Sequence, residues 1–316
     1  MMETIAMRDA YGAALAELGS ELPNLVVLDA DVAGSSKSSL FGAKFPERFF
    51  NVGIAEANMA GMAAGLALKG KLPFVHCFAA FMMLRAGDPI RSLACYQNLP
   101  VKFCGTYAGL SDSYDGASHH AISDISFFRA LPNMKVISPA DGEETRRAVR
   151  FAAGLAGPVY LRISRAEVPK SLFGAGYEFE YGKGYVAREG SDLTLVATGF
   201  MNVQALRAGE LLAKEGIRAR IVNIHTIKPI DASLIAKCAR ETGAVVTCEE
   251  HNVIGGLGAA VAEVLGRESP VPLEILGIED CFAESGDYGK LLEKYGLSPD
   301  RIVEKAKRVL SRKKGK

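Results

Sequence analysis

Short continuous apolar runs, each followed by a helix-length stretch, recur along this chain and limit it to one broad fold class. The runs LVVLDA from Leu25, LPFVHC from Leu72, VKFCGT from Val101 and PVYLRI from Pro158 read as buried strands, with KVIS from Lys135 a shorter one. Helical patterns cover residues 8–20, the stretch from Glu56, and the regions near 83–97, 123–131 and 141–153. Buried strands that alternate with helices predict a mostly parallel sheet covered on each side. Residues 166–190 interrupt this rhythm with Gly, Pro and aromatic residues, and read as a linker with short extended pieces. Alternation resumes at DLTLVAT from Asp192 and continues through ARIVNI from Ala219, AVVTCE from Ala244 and LEILGI from Leu273. A closing helix is expected near 299–311. The expected fold class is α/β, with two doubly wound domains over 1–165 and 191–316, the second the smaller.

A length of 316 residues suits two such domains with ample cores. Hydrophobic residues make up 49% and charged residues 23%, the balance of a soluble globular chain. The formal net charge of +1 gives no global attraction to nucleic acid or anionic membranes. The basic tail SRKKGK reads as a solvated terminus. No apolar run is long enough to span a membrane, and the N-terminus lacks a signal-peptide pattern. Cys77, Cys95, Cys104, Cys238, Cys248 and Cys281 form no Cys-x-x-Cys pair, which predicts reduced thiols and a cytoplasmic location.

Within this frame the segment NVGIAEANMAGMAAGLALKG, from Asn51 to Gly70, carries the clearest chemical signal. Glu56 stands where a loop becomes a helix of small residues. Ala60, Gly61, Ala63, Ala64 and Gly65 keep that helix thin enough for another helix or a flat cofactor to approach. A carboxylate in such surroundings can share a proton with a nitrogen heterocycle, or can be an ordinary first-turn Glu favoured by the helix dipole. Asp29 and Asp31 end the first strand and precede the Gly/Ser-rich AGSSKSS, a loop fit for a phosphate or for simple capping. Phe78 and Phe81 follow the Leu72 strand at a spacing that also suits core packing. Asp115, His119 and His120 lie in DGASHH, a loop able to exchange protons near neutrality or to cap a helix. The five His show no zincin-like spacing, so no metal is expected on them. GGLGAAV from Gly255 has Val261 where a dinucleotide fingerprint needs a small residue, and reads as a turn into a helix.

Six blocks in order resemble the thiamine diphosphate enzymes of the transketolase type, and most closely the C-terminal section of split transketolases. They are the Glu56 segment, LDADVAGSS from Leu28, DGASHHAISDISFFRALPNM from Asp115, VYLRISR ending at Arg165, NIHTIKPID from Asn223, and EEHNVIGGLGAAVAEVL from Glu249. The resemblance implies a pyrimidine-binding domain followed by a C-terminal domain. It implies that Glu56 contacts N1′ of the aminopyrimidine, that Phe78 and Phe81 pack on that ring, and that Asp31 lies near the cofactor. It also implies that Arg8, Ser35 and Arg165 hold a sugar phosphate, that Asp115 recognises a donor hydroxyl, and that His119 hydrogen-bonds the donor carbonyl or the intermediate. Arg8 precedes Asp31 by 23 residues, the spacing of the corresponding Arg in relatives. His225 and His251 receive no catalytic role.

The sequence departs from the family at Tyr107, where a phosphate-binding His is usual, at Ser113-Tyr114, where Gly-Glu is common, and at His120, where Gln is usual. These changes point away from the standard pentose phosphates toward a branched, modified or differently charged sugar phosphate. The family's Gly-Asp-Gly segment with a distant Asn, which binds Mg²⁺ or Ca²⁺ and the diphosphate, has no counterpart here. A separate N-terminal, diphosphate-binding subunit is therefore expected, in an α2β2 assembly. The expected reaction is transfer of a two-carbon glycolaldehyde unit from a ketose to an aldose. Rivals are a deoxyxylulose phosphate synthase-like or pyruvate dehydrogenase beta-like subunit, and a non-catalytic regulatory subunit. A nicotinamide oxidoreductase fits least, and neither nucleic acid nor membrane is an expected partner.

Overall fold

The computed structural model describes residues 3–174 and 176–314. Met1 and Met2 of the expected first domain, Ala175 of the linker, and Gly315 and Lys316 of the basic tail lie outside the described residues. The first unit contains β1 (Thr4–Ala6), β2 (Leu25–Asp29), β3 (Phe49–Asn51), β4 (Leu72–Phe78), β5 (Lys102–Thr106), β6 (Lys135–Ile137), β7 (Val159–Ile163) and β8 (Glu167–Pro169). The second contributes β9 (Tyr185–Arg188), β10 (Leu193–Ala197), β11 (Ala219–Asn223), β12 (Thr226–Lys228), β13 (Val245–Asn252) and β14 (Leu273–Ile278).

A seven-stranded sheet runs in the order β12-β6-β7-β5-β4-β2-β3, parallel except for β12, which pairs antiparallel with β6. The second sheet has five strands in the order β14-β13-β10-β11-β9, with β9 antiparallel at its edge. Both sheets are thus parallel-rich with crossover helices, the α/β class expected. Alternation along β2 shows why its run had to be apolar throughout. Leu25 and Val27 enter one core cluster, Val26 and Leu28 the cluster on the opposite face.

Three short strands, β8, β9 and β12, cross the limits drawn from sequence. β9 lies in the stretch read as linker yet closes the edge of the second sheet. β12 follows β11 in sequence but joins the sheet of the first unit. β1 and β8 form a separate two-stranded pair.

The helix expected near 83–97 is divided. It begins earlier, at Ala79–Leu84, turns at Arg85 and Ala86, and continues as a short turn at Gly87–Pro89 and a π-helical stretch at Ile90–Cys95. Pro89 has no N–H for an earlier carbonyl, which favours such a break. The helix expected near 141–153 is observed at Gly142–Gly154. Asp141 caps it by accepting the Glu144 N–H at 2.6 Å, while the Glu144 carboxylate accepts the Ala140 N–H at 2.5 Å. No described helix is long and apolar enough to cross a membrane.

Candidate active site

In open parallel sheets, ligand crevices form beyond the carboxyl ends of strands, where successive connections leave in opposite directions. In the larger sheet, β2 lies between β3 and β4, so the chain crosses over it. At the carboxyl ends of β2, β3, β4, β5 and β7, or in the segments that follow them, stand Asp31, Glu56, Phe78, Tyr107 and Arg165 respectively.

Glu56 is the first residue of the Glu56–Leu68 helix and is 5% exposed. Ala60, Ala63, Ala64 and Ala67 turn inward, and an added Cβ at Gly65 would meet nothing within 4 Å. Glu56 Oε1 accepts from Arg85 Nη1 at 3.1 Å and lies 3.9 Å from the Cys77 thiol. Among the described residues no hydrogen bond engages Oε2. Arg85 stands where the divided helix turns, and its guanidinium also covers the Phe81 ring at 4.1 Å. The His119 ring lies 4.9 Å from Phe81 and 6.0 Å from Phe78. Phe78 in turn packs on Tyr107 at 4.6 Å.

Tyr107 links this aromatic floor to the cationic end of the crevice. Its hydroxyl accepts from Arg8 Nη1 at 2.5 Å, and Arg8 also donates to the Ser35 carbonyl at 3.3 Å. The Arg165 guanidinium lies over the Tyr107 ring at 5.1 Å, with its Nη1 3.4 Å from Asp112 Oδ1. Asp112, Asp115 and His119 each bring one polar atom within 4.8 Å of the other two, a grouping with the spacing to hold a cation. Burial, then the neighbouring Asp115, pushes the Asp112 carboxyl up to about 7, against the pull of Arg165. His120 is buried behind this loop, and burial holds its imidazole below the usual range.

Asp31 and Tyr107 both have left-handed backbone, with φ of 63° and 61°. For residues with a Cβ this is strained, and such strain concentrates at functional loops. Asp31 is exposed and accepts from Asn51 Nδ2 at 2.9 Å. Its neighbour Asp29 is wholly buried and holds the Ser/Gly loop together, accepting from the Ser36 and Ser38 hydroxyls at 2.9 and 2.7 Å and from the Val32 N–H at 2.6 Å. The two acids therefore divide, with Asp29 capping its own loop and Asp31 exposed and bonded to Asn51, outside the contacts that join the other candidate residues.

Glu56, Arg8, Phe78, Phe81, Tyr107, His119 and Arg165 thus form one connected series. Ser35 joins it through its carbonyl and Asp115 through Asp112. Sequence reasoning missed Arg85 and Asp112. For Asp112 the available signal was a second carboxylate three residues before Asp115. For Arg85 there was none, because its partner lies 29 residues away.

The GGLGAAV turn is filled from within. The Glu249 carboxylate accepts the Leu257 and Gly258 N–H groups at 2.6 and 2.7 Å, where a nucleotide phosphate would otherwise bind. Burial pushes Glu249 up to about 7. His251 is buried beside it, and His225 is buried against the Phe179 ring at 4.1 Å. Burial lowers His225 to about 4, so it is neutral at physiological pH.

Two family models match this chain, one for the transketolase pyrimidine-binding domain over residues 3–170 and one for the transketolase C-terminal domain over residues 182–302. A Methanocaldococcus jannaschii protein named as a transketolase C-terminal section is 47% identical over 311 residues, covering 98% of this chain and 96% of its own length. A 6-deoxy-6-sulfo-D-fructose transketolase subunit from a Clostridium species is 42% identical over 307 residues, covering 97% and 95%. A solved split-gene transketolase, described as an inactive beta4 tetramer, superposes with a TM-score of 0.89 at 50% identity and covers 97% of this chain and 98% of that one.

Proposed function

The chain belongs to the transketolase family, and from that premise we propose that it is the C-terminal subunit of a two-component transketolase that moves a two-carbon glycolaldehyde unit from a ketose to an aldose. The observation that carries this reading is the connected series from the buried Glu56, through two aromatic rings and His119, to the paired arginines Arg8 and Arg165.

Membership of this family implies dependence on thiamine diphosphate. A buried carboxylate with one oxygen unengaged, next to two aromatic rings, fits the aminopyrimidine of that cofactor. When bound, the cofactor supplies the carbon nucleophile and electron sink that the side chains lack. Glu56 would hold a proton between Oε2 and N1′, while Arg85 fixes the carboxylate through Oε1. Phe78 and Phe81 orient the ring and exclude water. Asp31 would stand near the cofactor, Asp115 would recognise a donor hydroxyl, and His119 would donate to oxygen atoms of the reacting ketose. Arg8, Ser35 and Arg165 would hold an anionic sugar terminus.

Mg²⁺ or Ca²⁺ and the diphosphate would be bound mainly by an N-terminal partner subunit, in an α2β2 assembly in the cytoplasm. The solved relative described as an inactive tetramer of beta chains supports the need for such a partner. So do Ile54, two residues before Glu56, and Leu84, beside Arg85, which are 74% and 71% exposed and suit a covered surface. On this reading the domains divide at 165 and 190, with β8, β9 and β12 crossing those limits.

The test is a titration of thiamine diphosphate and Mg²⁺ into the chain alone and into its mixture with the diphosphate-binding subunit, followed by a ketose-donor assay. Tight binding and transfer in the mixture alone are expected. Tight metal-dependent binding by the isolated chain, or no transfer by a folded and associated mixture, overturns the proposal.

A further inference from the structure

The end of the crevice far from Glu56 differs from a plain anion site, and its role toward a donor sugar rests on reading the crevice as the donor site. Four side chains build it. Arg8 and Arg165 lie 5.5 and 5.1 Å from the centre of the Tyr107 ring, one engaged by the Tyr107 hydroxyl and the other by Asp112. Tyr107 adds a hydrogen-bonding group without charge. Asp112 is 0% exposed and lies beside the Asp115 carboxylate; among the described residues its Oδ2 has no hydrogen-bond partner, and Nε of Arg8 is likewise buried without one. Buried charged groups with unpaired atoms are uncommon, and two of them in one crevice point to a ligand that completes the set.

Charge decides which ligand. Two guanidinium groups and one buried carboxylate leave a single net positive charge on these four side chains, and the Asp115 carboxylate beside Asp112 lowers it further. A phosphate ester carries close to two negative charges above neutrality. Placed between the arginines it brings the second charge against Asp112, in surroundings that screen poorly. A sulfonate has the same tetrahedral oxygens and one charge. We propose that this end of the crevice selects a donor whose terminal group carries a single negative charge, a sulfonate-type terminus, over a doubly charged phosphate ester, and that Asp112 sets the preference. Asp115, His119, His120 and Arg165 are the charged or titratable groups around Asp112. Above about pH 8 the Asp112 carboxylate is ionised, because burial and Asp115 raise it only to about 7.

The selecting groups all lie on this chain, so the test needs no partner. Methanesulfonate and methyl phosphate, alike in shape and unlike in charge, are titrated calorimetrically into the chain at about pH 8.5, where methyl phosphate is a dianion. The wild-type chain is expected to bind methanesulfonate at least as tightly as methyl phosphate. Asp112→Asn should strengthen methyl phosphate by about tenfold and change methanesulfonate by less than about threefold. Asp112→Ser gives the same reversal if the Asn variant does not fold. A wild-type preference for methyl phosphate, an unchanged ratio in both variants, or binding of neither anion overturns the proposal. In the assembled enzyme, kcat/KM for a 6-sulfonated ketose against the 6-phosphate should follow the same order. Two-carbon transfer can fail with the anion preference intact, or persist without it, so the two readings fall separately.

Discussion

Around the loops after β2 and β5 the described residues leave charged atoms without hydrogen-bond partners, whereas along the second half of β13 they provide partners for them. In the first region Arg8 Nε and Asp112 Oδ2 are buried without a hydrogen-bond partner among the described residues. In the second, Glu249 takes two backbone N–H groups, and Glu250 takes the Leu110 N–H at 2.7 Å and the Tyr288 hydroxyl at 3.1 Å. Unpaired side-chain atoms occur in the second region too, at Thr198, Asn202, Gln204 and Thr247, but all are neutral. Two sheets of the same class therefore use their strand ends for different purposes. One leaves buried charged atoms open at the candidate site, and the other uses charge to join the two units. Glu250 is the clearest case of joining, since it anchors the loop that carries Tyr107 and Asp112 from the opposite sheet.

The largest expected effect attacks the open region. Glu56→Gln keeps the shape of the side chain but removes the proton acceptor. Turnover of the assembled enzyme should fall by about 10²–10⁴ while folding and assembly persist. Near-normal transfer rates would place the chemistry elsewhere. Next comes the closed region, where Glu249→Ala leaves two buried N–H groups unpaired at about 1–3 kcal/mol each. Denaturant unfolding should show that loss, with methanesulfonate affinity of the folded protein unchanged; an unaltered midpoint would mean that water replaces the carboxylate.

Arg85→Ala should act more mildly, because the Arg85 side chain is 50% exposed and such pairs contribute about 0–1 kcal/mol to stability. Its expected signature is cofactor affinity weakened by less than about tenfold and recovered in part by Arg85→Lys. A loss of stability with cofactor affinity unmoved would assign Arg85 to packing on Phe81. The smallest effect concerns pH. Burial raises Glu250 from 4.5 to about 7. Its contribution is therefore complete below about 4.5 and is lost as pH rises through about 7. The melting temperature should fall across that window, and Glu250→Gln should flatten the fall by about 2–4 °C. A melting curve as steep in the variant as in the wild type would remove Glu250 as the cause.

The sequence made the long elements legible because each repeats its signal over many residues. β2 and β4 are apolar on both faces, and the Gly142–Gly154 helix carries its cap in Asp141 and Glu144. β9 and β12 carried no such signal. They are short edge strands, and their place depends on β11 and β6, which lie far from them in sequence or face another unit. The divided helix was readable in part, since Pro89 marks a break that its apolar surroundings obscured. Candidate site residues were legible where a block of neighbouring residues carried them, as at Glu56 and DGASHH. Arg85 and Asp112 gain their meaning from contacts at separations of 29 and 53 residues, which no local pattern encodes.

β12 also bears on how this molecule can be taken apart. The strand belongs by sequence to the second unit and by hydrogen bonding to the first. A fragment ending at the linker would lose it and expose β6 as a bare sheet edge, open to pairing with any neighbouring strand. A fragment beginning there would carry a strand with no sheet to join. Dissection into separately expressed halves is therefore a poor route to either, and the two units are expected to unfold together, as one cooperative body rather than as beads on a string.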